Sequence, residues 1–299
     1  MLMEAHHRLW PIKFHLGCYA EAERHLDHGL TFYDPVRHNS LIHTYSGHDP
    51  GVCCRNHSAR LLWHRGFPDQ ALRRQQEAVA LAEQISHPFS TILAHYSLSE
   101  LFLMRREPGE VRREIAKWGE RAEEFVMPMA ADAKFQTGWA LAEDERWEES
   151  IPYMRDAIAE SRTSGNADTH FHLCMLARSC GGCGRISEGL SLLEEALAIA
   201  AATGARHQVP EVLRVKGDLL ANLGSPDAED CLTEALMLAR EQGVRMLELR
   251  AATSLARLYR SRRRGSKARD VLSPVYDWFV EGFDTRDLID AGTLLNALR

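Results

Sequence analysis

The run Leu247-Glu-Leu-Arg-Ala-Ala-Thr-Ser-Leu-Ala-Arg-Leu-Tyr259, the arginine-rich stretch Arg260 to Lys267, and then Ala268-Arg-Asp-Val-Leu272 decide how the chain is read. In the first segment Leu249, Ala252, Leu255, Ala256 and Tyr259 recur at helical spacing and form one apolar stripe. In the second, Ala268, Leu272 and Val275 form the stripe of a partner helix. Neither helix can bury its stripe alone, so the two are expected to pack across a basic turn. The pair recurs up the chain. The small residue opening each second helix stands at Ala22, Ala71, Val111, Ser150, Gly189, Ala228 and Ala268, at intervals of 49, 40, 39, 39, 39 and 40 residues. Four residues later come Leu26, Gln75, Ile115, Met154, Leu193, Leu232 and Leu272. Seven later come Gly29, Ala78, Trp118, Ala157, Ala196, Ala235 and Val275. Gly165, Gly204 and Gly243 stop second helices in phase, where a left-handed cap costs glycine least.

This period specifies an all-α, tetratricopeptide-type right-handed superhelical solenoid of about seven helix pairs of 39–40 residues, against the usual ~34. Units are expected near 3–35, 50–86, 88–126, 128–165, 168–204, 207–243 and 246–280. A helix over 285–298, started by Asp284-Thr-Arg-Asp287, is expected to cap the array. Pro35 should end the first unit, Val36 to His48 form an insertion, and Asp49-Pro50 restart a helix with aspartate as N-cap. Trp118, where sibling units carry alanine, should splay its pair or bend the stack. Pro152 should be tolerated near a helix start, and Pro274 should kink its helix.

The segments Leu247–Leu258 and Tyr276-Asp-Trp-Phe-Val-Glu-Gly-Phe-Asp-Thr-Arg-Asp-Leu288 resemble the tetratricopeptide C-terminal region of large bacterial signalling proteins. So do Gly47-His-Asp-Pro-Gly-Val52, Phe67-Pro-Asp-Gln-Ala-Leu72, His87-Pro-Phe-Ser90, Gly138-Trp-Ala-Leu-Ala142 and Leu213-Arg-Val-Lys-Gly217. Proteins of that family carry a class III adenylate or guanylate cyclase domain and a predicted ATPase domain ahead of the array. The likeness covers nearly all of these residues, none of which resembles the cyclase or ATPase domains. It departs at the cysteine-rich segment Leu173 to Gly184 and at the arginine-rich turn after Tyr259. It implies a regulatory, non-enzymatic array that senses a partner and biases those upstream domains.

Bulk properties narrow the reading. A formal charge of −6 argues against general nucleic-acid binding. No run approaches the ~18 apolar residues of a membrane span, and Met1 to Gly17 lacks the apolar core of a signal peptide. Seven cysteines without framework spacing suit a reducing, cytoplasmic setting.

Three clusters could carry chemistry. Histidine is concentrated early, with 12 of 15 before position 96. His6-His7, His25 with His28, and His43 with His48-Asp49 could supply metal ligands, but no HExxH accompanies them, and they are read as surface or capping residues. Cys180-Gly-Gly-Cys183, with His170, His172 and Cys174, could hold zinc or act in redox control. Cys180 nonetheless shares the apolar stripe of Leu173, Leu176 and Ala177, which favours packing. Arg260, Arg262, Arg263, Arg264, Lys267 and Arg269 are read as a solvated turn partly offset by Glu241, Glu248 and Asp270. No phosphate loop, nucleophile elbow or spaced carboxylate pair is present, so no catalytic residue, cofactor or metal is assigned.

Binding is expected in the concave groove, on a column eleven residues before each frame residue: Pro11, Arg60, Glu100, Trp139, Arg178, Gly217 and Arg257. With Asn56 and His64 flanking Arg60, and with Asp218 as a possible internal partner, this surface reads as cationic. It would suit a protein or peptide with acidic groups, because the planar guanidinium pairs with carboxylates at two points. A small-molecule effector pocket is the alternative.

Overall fold

A computed structural model describes residues 2–40, 42–124, 129–164 and 168–298. Among the described residues there are helices and no strands. Seven antiparallel pairs follow one another: α1 (Leu2–His15) with α2 (Tyr19–Phe32), α4 (Pro50–His64) with α5 (Pro68–Ile85), and α6 (Pro88–Arg105) with α7 (Pro108–Glu124). Then come α8 (Ala130–Glu143) with α9 (Trp147–Ser164), α10 (Thr169–Gly182) with α11 (Ile186–Thr203), α12 (Val209–Asn222) with α13 (Ala228–Gln242), and α14 (Arg245–Ser261) with α15 (Gly265–Tyr276). The final helix is α16 (Arg286–Asn296). The insertion holds the short α3 (Pro35–Asn39) and a 3₁₀ turn (Ile42–Tyr45). Asp49 caps α4, accepting from the amides of Gly51 (2.8 Å) and Val52 (3.0 Å).

The repeat frame is the packed seam of each pair. Ala22, Ala71, Val111, Ser150, Ala228 and Ala268 are fully buried, as are Met154, Leu193, Leu232 and Leu272 four residues on. Truncating one of these leucines to alanine removes close-packed volume and should cost about 2–5 kcal/mol. Close approach needs glycine at Gly138, where a Cβ would stand 2.9 Å from the Ser150 carbonyl oxygen. Gln75, polar in an otherwise apolar column, is tied by donating to Asn56 Oδ1 (2.8 Å) and the Ala94 carbonyl (3.0 Å). Gly204 and Gly243 end α11 and α13 in the left-handed conformation; Gly165 lies outside the described residues.

Local expectations resolve in detail. Trp118 is fully buried and donates to Ser99 Oγ (3.2 Å), so unit three accommodates it by packing and a hydrogen bond. Pro274 lies inside α15, which runs 12 residues and stops two residues after it. The basic turn is offset at Glu229, which Arg262 meets at 2.7 Å and Arg264 at 3.3 Å. Glu248, assigned to that turn from the sequence, is instead buried between Arg240 and Arg245.

The array does not remain an open groove. The chain end returns to unit two, where the Glu281 carboxylate accepts from the first-turn amides of α5, Asp69 and Gln70, both at 3.0 Å. Those amides have no intrahelical partner, and a carboxylate also suits the positive end of the helix. The Gly282 amide returns a bond to Asp69 Oδ2 (3.1 Å). Gly282 has φ +78°, and a Cβ there would meet Pro68 Cγ at 2.1 Å, so both conformation and space require glycine. Arg245 stacks on Trp278, and Arg250 on Trp63. A second closure joins unit one to unit six: the Tyr19 hydroxyl donates to the His207 carbonyl (3.0 Å), and the Arg206 amide to that of His15 (2.8 Å). Among the described residues, no helix is long and apolar enough to cross a membrane.

Candidate binding cavity

The first helices of the pairs face inward and enclose two hollows. The larger, about 310 Å³, lies between α6, α8, α10, α12, α14 and α16. Its floor is apolar, from Trp139, Phe171, Met175 and Leu103. Its charged lining alternates in sign: Arg106, Arg178, Arg214, Arg250 and Arg257 against Glu143, Glu211, Asp218, Asp287 and Asp290. The charges form one chain of contacts. Arg178 pairs with Glu143, which also accepts from Arg106 (3.2 Å). Arg106 reaches Asp287 (3.3 Å) and Asp290 (3.1 Å) on α16. Asp287 takes Arg250 at 2.8 Å, Arg250 approaches Glu211 at 3.6 Å, and Arg214 joins Glu211 (2.7 Å) to Asp218 (2.6 Å). Burial favours a neutral Glu211, but the guanidiniums of Arg214 and Arg250 outweigh it and hold that acid at about 2.

Arg106 shows what the network costs. It ends α6 with φ +63°, a left-handed backbone that glycine takes freely and other residues adopt at about 1 kcal/mol. Its side chain meets three carboxylates from there, which accounts for an arginine at a glycine position.

The smaller hollow, about 30 Å³, holds one guanidinium among three acids. Arg60 lies 3.6 Å from Asp168 and 3.9 Å from Glu100, with Asp132 opposite. Burial, reinforced by Glu100, raises Asp132 to about 7, and the Tyr96 hydroxyl donates to it at 2.9 Å. Burial also raises Glu100, chiefly against the pull of Arg60. At Asp168 burial acts in the same sense but loses to the His207 hydrogen bond (2.8 Å) and Arg60, so its carboxyl is held well below the usual range.

Of the residues singled out from sequence, Arg60 and Glu100 line the smaller hollow, and Trp139, Arg178, Asp218 and Arg257 the larger. Asn56 and His64 do not. Asn56 is the acceptor for Gln75, and His64 is fully buried against the rings of Phe14, Tyr19 and Trp63. Gly217 faces α13, where a Cβ would meet Leu232 at 2.6 Å, leaving Arg214 and Asp218 to represent unit six. The cationic reading is also corrected, since every arginine named for the site has a carboxylate beside it: Arg60, Arg178, and Arg257 with Asp290 at 3.7 Å. What the column missed was the rest of its helix face. Positions 18, 14, 11 and 7 before the frame residue give Asp132, Gln136, Trp139 and Glu143 in unit four. The first three of these offsets give Phe171, Met175 and Arg178 in unit five and Arg250, Ser254 and Arg257 in unit seven.

The cysteine-rich segment is packed. Cys174 and Cys180 are fully buried; burial pushes the Cys180 thiol to about 11 and raises Cys174 and Cys183.

No protein-family model matches the chain. An uncharacterized protein of Rhizobium meliloti is 27% identical over 267 residues, covering 86% of this chain; the chain spans about a quarter (25%) of that relative. Among solved structures, NprR in complex with its cognate peptide NprX superposes with a TM-score of 0.62 at 14% identity, over 99% of this chain and 82% of that one. A Rap protein complexed with competence and sporulation factor gives 0.61 at 11%, over 99% and 96%. A Signal Transduction ATPase with Numerous Domains from Pyrococcus horikoshii, carrying a tetratricopeptide repeat sensor, gives 0.50 at 15%, over 88% and 40%. With these neighbours, the all-helical paired architecture is that of a tetratricopeptide-like solenoid.

Proposed function

We propose that the chain is a non-catalytic binding and regulatory module that takes a short peptide or protein segment into the larger hollow. The observation that carries this is the enclosed lining itself, an apolar floor under alternating guanidiniums and carboxylates. A ligand with both charges can exchange into such pairs without leaving an ion unpaired, whereas a purely acidic one would strand Glu143, Asp287 or Glu211. The ligand is therefore mixed in charge, and the peptide complexes of the NprR and Rap neighbours support a peptide. Arg257, 55% exposed on the rim and loosely paired, is the residue most available to it. A peptide array probed with the chain and with Arg257→Glu tests the reading: bound sequences should carry both charges and be lost in the variant. Binding indifferent to Arg257→Glu and to Trp139→Ala would place the site elsewhere.

The hollow's volume favours a second reading, a small zwitterionic effector, since about 310 Å³ is at the lower end for ligand pockets. Native mass spectrometry would then show a small co-purified mass. The regulatory C-terminal region of a cyclase/ATPase-type signalling protein is the proposed setting. It rests on the sequence resemblance and on a relative four times the matched length.

A further inference from the structure

We propose that His7, His48 and Cys53 form a binding site for a divalent cation of the zinc class. The three come from separate segments: His7 from α1, His48 from the end of the insertion, and Cys53 from the first turn of α4. Their ligating atoms all lie within 4.8 Å of one another, and the Nε2 atoms of the two imidazoles face each other at 3.0 Å. Around one tetrahedral ion with bonds of ~2.0–2.3 Å, such atoms stand roughly 3.3–3.6 Å apart. The two imidazoles need to part by about 0.3 Å, and Cys53 Sγ has to come in by no more than about 1.5 Å, to reach that geometry.

The surroundings have the form of a ligand shell. The Glu4 carboxylate lies 3.5 Å from His7 Nδ1, the outer carboxylate–histidine contact that turns Nε2 toward a metal. Trp10 packs edge-on against His7 and Phe89 against His48, which holds both rings in place. His7 and Cys53 are each 5% exposed, so the site is dry on two sides. Two imidazoles and a thiolate select zinc-like ions over magnesium or calcium, which prefer oxygen. His57, one turn beyond Cys53, has its Nδ1 3.0 Å from the Cys53 carbonyl and 3.7 Å from Cys53 Sγ, so that nitrogen is engaged beside the thiol and the fourth position goes to water or an exchangeable ligand. The site also gives the insertion a role, since the residues that lengthen the first interval to 49 carry a ligand that ties unit one to unit two.

The test is a Co²⁺ titration of the full chain after chelator treatment. One equivalent should bind and give the sulfur-to-cobalt charge-transfer absorption of a thiolate ligand. Cys53→Ser should abolish that band, and His48→Gln should weaken binding at least 100-fold. Glu4→Gln should weaken it about 10- to 100-fold. His25→Gln, in the neighbouring half-buried histidine cluster, should change nothing. No charge-transfer band in the parent chain would overturn the proposal and leave a hydrogen-bonded histidine pair beside a packed thiol. A band that survives in folded Cys53→Ser would overturn it too. Should Cys53→Ser fail to fold, His48→Gln at the partly exposed ligand decides, and unchanged affinity there refutes the site.

Discussion

Two regions of the array, the histidine-rich core of units one and two and the wall of the larger hollow, handle polar groups in a crowded interior with opposite chemistry. In units one and two the buried polar side chains include a set of imidazoles that burial holds neutral. His7 and His48 fall to about 4, His57 to about 3, and His64 is driven well below its ordinary value. Around the larger hollow, lined from units three to seven and α16, they are full charges in a chain of Arg–carboxylate contacts. A neutral ring can be buried with few partners, and the two His64 nitrogens accept no hydrogen bond and donate none. A buried ion needs a partner, and that partner needs another, so the network spreads until it meets solvent at Arg257 and Asp218. The first solution is sensitive to pH, the second to the removal of a buried member.

The largest effect should come from removing residues after Glu281. This deletes α16, exposes the stripe beneath Leu288, Ala291 and Leu294, and takes Asp287 and Asp290 from three arginines. Aggregation measured by light scattering is the expected outcome, because solenoid ends need a cap; a monomer with unchanged melting would contradict it. Next, Arg106→Ala strips the shared cation from Glu143, Asp287 and Asp290 and should cost about 3 kcal/mol in urea unfolding. A loss under about 1 kcal/mol would show that the network is solvated and the contrast between the two regions weak.

A pH titration of metal-free protein sharpens the contrast. The depressed histidines give stability that is complete above their unfolded value near 6.5 and is lost as pH falls toward 4. Asp132, raised to about 7, acts oppositely: its contribution is present below about 4 and lost as pH rises through 7. The strongly depressed histidines outnumber the raised acids Asp132, Glu100, Asp49 and Asp218 and predict a net loss of stability as pH falls from 7 to 5. Stability that rose over this window would mean the buried rings are charged and paired. The smallest effect is assigned to Arg257→Glu, which should stay within about 0.5 kcal/mol while changing ligand binding.

The pairs, the cap and the inward column were legible because they are periodic and local. The seam at Leu193, Leu232 and Leu272 follows from the interval alone. The closure was not legible, since Glu281 caps a helix 212 residues upstream and nothing in either segment names the other. For the same reason Asp287 read only as part of a helix start, although it walls the cavity together with Asp290. Arginine at 60, 178 and 257 suggested a cationic groove because the acids that neutralise it lie on other units. The histidines misled in the opposite direction: polar letters in a polar-looking stretch suggested surface, whereas His7 and His64 are buried.

The claim beneath all of this is that the repeats close into a ring around the hollows, and amide hydrogen exchange at Asp69 and Gln70 tests it most directly. First-turn amides of a helix ordinarily exchange fast because they lack an intrahelical acceptor. Here they should be protected in the intact chain, and protection should vanish in Glu281→Ala while the amides in the middle of α5 keep theirs. Fast exchange at both positions in the intact chain would mean that the array is open and the cavity unenclosed.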